Sequence, residues 1–211
     1  MRFSGPNESP LPASALLRAA ASLVLLAACV AGRAEEPQAA PNTAQDMGHH
    51  VLDALKVRGI FAQMGIADEV TAGTAGVIWN LRGAGLNERW SVYVEGSMSR
   101  WQSRGGYATE HGVLTQVALI PTLRYRFGEG SSPWFVEGGI GATVTSSVYR
   151  NVDKHFSTAF NFGDHVGLGR SFGAARRDEI VLRAEHFSNA GIKHPNPGQN
   201  FLELRYLHHF D

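Results

Sequence analysis

The chain lacks the features that would favour a nucleic-acid-binding, disulfide-rich or helical protein. Its 19 basic and 19 acidic residues give a formal net charge of zero over 211 residues, so no long-range field attracts nucleic acid. Cys29 is the only cysteine, which excludes an intramolecular disulfide. Apolar residues rarely recur at helical spacing after residue 52. We therefore expect one domain that depends on neither disulfides nor helix packing.

The N-terminal segment has the pattern of an export signal. Arg18 precedes an apolar run from Ala19 to Ala31, and small residues lead to Ala34 before two glutamates. The run is shorter than the roughly 20 residues that a membrane-spanning helix needs. We therefore assign residues 1–34 to a signal peptide with cleavage near Ala34. The run Leu26–Cys29 also resembles a lipoprotein box, so lipidation of the cysteine is the alternative fate.

The rest of the chain divides into a flexible lead-in over residues 35–51 and a folded domain over residues 52–211. The lead-in is rich in Ala, Pro and Gln and has no periodicity. The folded domain alternates apolar and polar residues in segments separated by Gly, Ser, Asn and Asp, which is typical of antiparallel strands. The predicted strands are Leu55–Ile66, Val70–Leu81, Arg89–Gln102, Val113–Phe127, Trp134–Ser147, Ser157–Ser171, Glu179–Ser188 and Asn200–Phe210.

The alternation within these strands is that of a barrel. In the last strand Leu202, Leu204 and Tyr206 share one face, whereas Glu203 and Arg205 share the other. A soluble barrel would turn the apolar face inward, and a membrane barrel would turn it outward. The export signal, the aromatic residue next to the C-terminus and the strand length favour the membrane barrel.

We therefore predict an all-β fold, an eight-stranded antiparallel transmembrane β-barrel. An eight-stranded barrel is just wide enough for side chains to fill it, so we expect no channel. The charged residues expected to form an internal polar network are Glu95, Arg124, Glu137, Arg183, Glu185, Glu203 and Arg205.

The strongest candidates for chemistry are His186 and Ser188. Residues two apart in a strand project from the same face, so this base and this hydroxyl stand side by side. In the predicted barrel that face is the apolar one, which meets lipid. Polar side chains facing lipid are costly unless they serve a function. The pair therefore predicts a site on the outer surface.

The motif His186-Phe187-Ser188-Asn189 is followed by Gly191, Pro195-Asn196 and Gly198, and then by an aromatic-rich last strand. This signature resembles that of the lipid A 3-O-deacylases, the PagL-type outer-membrane esterases. The segment Phe162–Gly169 is also similar to members of that family. The resemblance implies an active site on the outside of the barrel, in the outer membrane of a Gram-negative bacterium. It also implies hydrolysis of the ester at position 3 of lipid A, with release of a 3-hydroxy fatty acid.

The resemblance assigns roles to individual residues. Ser188 would be the nucleophile and His186 the general base. Asn196 and the backbone amide of Gly191 would donate to the oxyanion, and Asn189 would hold the loop in place.

The third member of the catalytic group departs from the family pattern, which has an acidic residue near the start of the last strand. This chain has Gln199-Asn200 there. Parity puts Asn200 on the same side as His186 and puts Glu203 inside, so we assign Asn200 to orient the imidazole. Gln199 and Glu203 are the alternatives. Losing the carboxylate removes stabilisation of the imidazolium and should slow the enzyme.

The leading hypothesis is therefore a serine-type carboxylic ester hydrolase with lipopolysaccharide as substrate. The alternative is a structural or adhesive outer-membrane barrel with weakened or lost esterase activity, and a weaker one is a soluble periplasmic lipid-binding barrel. We expect the outer membrane and a second copy of the chain, in a homodimer, as partners, and no nucleic acid. Serine chemistry needs no cofactor, and no metal site is predicted because the adjacent His208 and His209 point to opposite faces.

Overall fold

A computed structural model describes residues 57–80, 87–103, 113–151 and 153–210. The predicted signal peptide over residues 1–34, the fate of Cys29 and the lead-in over residues 35–51 lie outside the described residues.

Eight antiparallel strands close into one barrel in chain order, as predicted. The first and last strands close the ring, with Ile66 paired to Leu202. In the described part of the chain, the only helical segments are two short 3₁₀ turns, and no helix is long and apolar enough to cross a membrane. The strands are β1 (Gly59–Ala67), β2 (Val70–Asn80), β3 (Trp90–Ser103), β4 (Val113–Arg126), β5 (Trp134–Thr145), β6 (Phe160–Phe172), β7 (Asp178–Ser188) and β8 (Gln199–His209).

The predicted strand ends differ from the observed ones at the start of the first strand and beside the longer loops. The first strand was expected from Leu55, but β1 begins at Gly59. The sixth strand was expected from Ser157, but β6 begins at Phe160. The reason is that hydroxyl groups in this segment bind loop backbone: Ser157 donates to the carbonyl of Lys193 at 2.8 Å, and Thr158 to that of Phe160 at 2.7 Å. Such bonds from side chains to the backbone compete with the strand ladder.

The connections fall at two ends of the barrel. The turn at 68–69 and the loops at 146–159 and 189–198 lie at one end, which we call the loop end. The turns at 127–133 and 173–177 lie at the opposite end, which we call the turn end. Because β7 ends and β8 begins at the loop end, the motif from His186 to Asn200 lies there.

The side chains that alternate along each strand confirm the membrane-barrel orientation. On β7, Ile180 and Leu182 are exposed, whereas Arg183 and Glu185 are buried inside. A soluble lipid-binding barrel requires the reverse arrangement. The outside of the barrel is therefore the face that meets hydrocarbon. Its most exposed apolar side chains include Met64, Ile66, Ile140, Val166, Leu202 and Leu204.

A polar network fills the middle of the barrel. Arg183 lies at its centre and donates to both carboxylate oxygens of Glu95 at 3.0 Å, and to Glu137. Arg205 also binds Glu95, and Arg124 binds Glu137. Buried charges are tolerated when they are paired in this way. The space beside this network, lined in part by Glu95 and Arg205, amounts to about 10 Å³, so side chains fill this part of the interior.

An aromatic cluster fills the barrel at the loop end. The Trp101 ring lies 5.0 Å from that of Phe187, 4.8 Å from that of Phe201 and 5.5 Å from that of Tyr149, between ring centroids. Tyr149 and Phe156 belong to the 146–159 loop, which this cluster ties to β7 and β8. Phe187 is the buried residue between His186 and Ser188, so the cluster fixes the strand that carries the candidate site.

Candidate active site

His186 and Ser188 both lie on the outer face of β7, at its loop end. Each side chain is partly buried, and Phe187 between them points into the barrel. The arrangement follows from strand alternation and brings the base and the hydroxyl to the same side. Both therefore stand on the surface that meets the membrane.

Asn200 is the side chain that contacts the imidazole. It lies directly opposite His186 in the β7–β8 pairing, and its Oδ1 is 2.6 Å from His186 Nδ1. A carbonyl oxygen only accepts hydrogen bonds, so Nδ1 carries the proton and Nε2 is left as the basic nitrogen. Gln199 is fully buried inside the barrel, and Glu203 points inward to Gln63. Neither alternative reaches the imidazole.

The hydroxyl of Ser188 is not hydrogen-bonded to His186 in the described residues. The two side chains are neighbours on one strand face, and catalytic hydrogen bonds often tighten only when substrate binds. The arrangement thus supplies a nucleophile and a base on one face. Asn200 holds the imidazole through Nδ1 and leaves Nε2 free to act as the base.

The imidazole of His186 packs on the backbone of Gly198, where the 189–198 loop enters β8. Gly198 has φ +69°, and a Cβ added there would lie 2.6 Å from His186 Cε1. Only glycine combines this backbone conformation with so close an approach. The loop therefore forms the floor on which the imidazole rests.

Asn189 is the residue that organises the loop. The residue is 1% exposed, and Nδ2 donates to the carbonyl of Lys193 at 2.8 Å and to the hydroxyl of Ser157 at 3.0 Å. Its Oδ1 accepts from the N–H of Gly191 at 3.0 Å. These bonds hold the loop against the 146–159 loop.

Asn196 is oriented by the same residue. Its Oδ1 accepts from the backbone N–H of Asn189 at 3.0 Å, and within the described chain no acceptor is bonded to its Nδ2. That amine is a donor available to a developing negative charge. Gly191 differs, because its N–H already donates to Asn189. In this conformation its N–H would have to leave that acceptor before it could serve an oxyanion.

A groove crosses the outside of the barrel next to β8. It has a volume of about 460 Å³, and Gly73 leaves open space in its floor, where an added Cβ would meet nothing within 4 Å. Its lining is mostly apolar and includes Met64, Ile66, Leu202 and Leu204, with Arg100 and Gln102 at one side. Such a groove suits an acyl chain.

Two further features bear on the electrostatics of this end. Burial raises the pKa of the Tyr149 phenol to about 12, so the hydroxyl that accepts from Asn151 stays neutral at physiological pH. No group of three or more His, Cys, Asp or Glu side chains in the described residues is arranged to hold a metal ion. His208 and His209 contact different carboxylates, those of Asp178 and Glu179.

Asp164 is a neighbour of the site that sequence reasoning missed. It lies on β6 directly opposite His186, on the other side from Asn200. The sequence placed it within a strand similar to the family but could not reveal this pairing. The separation of 22 positions along the chain gives no periodic signal, and only strand register brings the two side chains together.

Comparisons with known proteins identify a family and relatives of this chain. The family described as lipid A 3-O-deacylase (PagL) matches residues 73–209. The lipid A deacylase PagL of Bordetella bronchiseptica is 37% identical over 156 residues, which cover 72% of this chain and 83% of that protein. The lipid A deacylase PagL of Pseudomonas aeruginosa is 31% identical over 118 residues, which cover 56% of this chain and 64% of that protein.

A solved structure supports the fold. The crystal structure of the outer membrane enzyme PagL superposes with a TM-score of 0.60 at 24% identity, over 71% of this chain and 97% of that one. The eight-stranded barrel with its apolar exterior, together with the relatives from two Gram-negative bacteria, places the protein in the outer membrane of such a bacterium. The match over residues 73–209 and the 37% identity show that the chain belongs to the lipid A 3-O-deacylase (PagL) family.

Proposed function

We propose that this protein hydrolyses the 3-O-linked acyl ester of lipid A in lipopolysaccharide and releases a 3-hydroxy fatty acid. The observation that carries the proposal is the outward-facing pair His186 and Ser188, with Asn200 Oδ1 bonded to the imidazole at 2.6 Å. The named relatives act as lipid A deacylases, which supports the same substrate class for this chain.

The arrangement supports a serine-histidine mechanism. His186 Nε2 takes the hydroxyl proton of Ser188 as Oγ attacks the ester carbonyl carbon. The tetrahedral intermediate collapses when Nε2 returns that proton to the departing sugar oxygen, which leaves an acyl-serine. Water, deprotonated by the same nitrogen, then releases the fatty acid and restores the hydroxyl. Asn200 keeps the Nδ1 proton in place, so Nε2 serves as the base throughout.

The negative charge of the intermediate needs donors placed in advance. Asn196 Nδ2 is our first choice, because Asn189 fixes the other end of that amide at 3.0 Å. The N–H of Gly191 is the second, and it would exchange its bond to Asn189 for one to the oxyanion. Removing one such donor typically lowers kcat by about 10²- to 10³-fold.

The position of the site suits a substrate that is itself part of the membrane. His186 and Ser188 lie at the loop end of a lipid-facing surface, where headgroups meet acyl chains. The ester of a membrane lipid reaches that level without leaving the bilayer. The groove beside β8 would accommodate acyl chain below the ester.

The first experiment measures acyl loss from lipopolysaccharide. The purified barrel should remove one 3-hydroxyacyl chain, detected as a mass decrease of lipid A, and Ser188→Ala should abolish this loss. Ser91→Ala is the matched control, because Ser91 is exposed at the turn end of β3 and should leave the rate unchanged. Equal acyl loss in the wild type and Ser188→Ala, or none in the wild type, would contradict the proposal.

The alternative is a structural or adhesive barrel with weakened or lost esterase activity. The amide at position 200 favours it, because asparagine cannot neutralise an imidazolium as a carboxylate does. Asn200→Glu discriminates between the two. Increased turnover supports an enzyme slowed by its amide, whereas inactivity in both forms supports the structural role. A homodimer remains a further expectation, which crosslinking in intact outer membranes would test.

A further inference from the structure

One charged residue lies among the described strand neighbours of His186 on the outer face. Strand pairing defines the neighbours on the outer face: those on its own strand, those directly opposite on the two adjacent strands, and the diagonal ones. They are Ala184 and Ser188 on β7, Asp164, Phe162 and Val166 on β6, and Asn200 and Leu202 on β8. Among these described neighbours only Asp164 has an acidic side chain.

Asp164 has no evident structural use. Its side chain is partly buried on the outer face, and no hydrogen bond or ion pair joins it to another described residue. Inside the barrel, by contrast, Glu95 and Glu137 are paired with arginines. An unpaired carboxylate on a surface that meets lipid is costly and is a mark of function.

We propose that Asp164 is a positioning residue that stabilises the positive charge on His186 during ester cleavage, a task that the neutral Asn200 cannot perform. The inference rests on the proposed serine-histidine function. It divides between two strands what one carboxylate does in the usual catalytic triad: Asn200 fixes the tautomer from β8, and Asp164 supplies the charge from β6.

The expected effect follows from the pairing geometry. Residues directly opposite in an antiparallel pair have Cβ atoms about 4.5–5.5 Å apart, which puts the two charges roughly 6 Å from each other. At that separation the attraction changes the rate by roughly threefold in bulk water and by about 100-fold at an effective dielectric constant near 20. A site half open to solvent lies between these limits, so we expect about a tenfold effect.

A competing role for Asp164 is recognition of the hydroxyl group of a 3-hydroxyacyl chain. The two roles separate if the reagent carries no such hydroxyl. An alkyl fluorophosphonate meets this condition: the Ser188 Oγ–P bond forms, the P–F bond breaks, fluoride leaves, and the hydroxyl proton passes to His186. The rate of labelling, followed by protein mass spectrometry, therefore reports the effect of Asp164 on the serine-histidine pair without any contribution from a substrate hydroxyl.

The test compares Asp164→Asn with Asp178→Asn. Asp178 is also a carboxylate of an outward-facing strand position, but it lies at the turn end and binds Tyr206 and His208. Asp164→Asn should slow fluorophosphonate labelling about tenfold, and the reagent concentration that gives the half-maximal rate should be unchanged. Asp164→Glu should restore most of the rate. Asp178→Asn should label at the wild-type rate.

The same substitution in an Asn200→Glu variant tests whether the effect of Asp164 is due to its charge. With Asn200→Glu in place, a carboxylate already faces the imidazole from β8, so Asp164→Asn should then slow labelling less than threefold. An unchanged tenfold loss in that background would overturn the proposal, as would a loss confined to hydroxylated lipid substrates or no loss at all. Failure of lipid A hydrolysis with labelling of Ser188 intact would count against the substrate only. A wild type that does not label would refute both proposals.

Discussion

Replacing Gly198 by alanine tests whether the loop backbone positions the catalytic imidazole. A Cβ at this position would lie 2.6 Å from His186 Cε1, whereas carbon atoms in contact prefer about 3.5–4.0 Å. The imidazole must therefore move by roughly 1 Å, and its 2.6 Å bond to Asn200 is broken or badly aligned. A displacement of about 1 Å near reacting groups can lower the rate by about 10²-fold.

The matched control is Gly191→Ala in the same loop. Gly191 has φ +78°, close to the +69° of Gly198, but an added Cβ would meet nothing within 4 Å. Both variants thus introduce similar left-handed backbone strain, about 1–2 kcal/mol. Only Gly198→Ala adds the clash with His186.

The assay is the initial rate of acyl release from lipopolysaccharide, with heat-modifiable gel mobility as the check that each barrel is folded. We expect kcat/KM to fall about 100-fold for Gly198→Ala and only a few-fold for Gly191→Ala. Equal losses in the two variants would show that backbone strain, and not displacement of the imidazole, explains the effect. Full activity of Gly198→Ala would refute the reasoning altogether.

Three further predictions concern the oxyanion donor, the loop and the barrel interior. Asn196→Asp keeps the acceptor for the N–H of Asn189 but removes the donor, so initial rates should fall by at least about 10²-fold in a folded barrel. Asn189→Asp loses the bonds from Nδ2 to the loop, so trypsin should cut after Lys193 faster than in the wild type, and equal cleavage rates would contradict the anchoring role. Arg183→Met leaves the buried carboxylates of Glu95 and Glu137 without their shared partner, which should destabilise the barrel by about 3–5 kcal/mol. Thermal unfolding measures this loss, and the folded fraction should keep its activity because Arg183 points away from the outer surface.

Strand position and side-chain direction were predictable from the sequence. Each depends on residues close together in the chain, and a period of two is visible in β7 and β8 without any partner strand. The same parity put Asn200 on the His186 side and Glu203 inside the barrel. The start of β6 was predicted at Ser157, three residues early. The Ser157 hydroxyl binds the backbone of the 189–198 loop, and a partner so distant in sequence leaves no signal in the local pattern.

The loop donors show a second limit. The family resemblance nominated the N–H of Gly191 and the side chain of Asn196 together. In the structure the first donates to Asn189, and the second keeps a free Nδ2. Which group of a Gly- and Asn-rich loop is engaged depends on the path of the loop, and local sequence does not define that path.

The sequence by itself determined that His186 and Ser188 share a lipid-facing surface, because side-chain direction is a property of a single strand. Only the tertiary structure decided what surrounds them. Closure of the barrel sets the register between strands, and the register puts Asn200 on one side of the imidazole and Asp164 on the other. The 189–198 loop brings Gly198 beneath the His186 imidazole. These contacts join segments that lie far apart in the chain, so alternation within a strand carries no record of them.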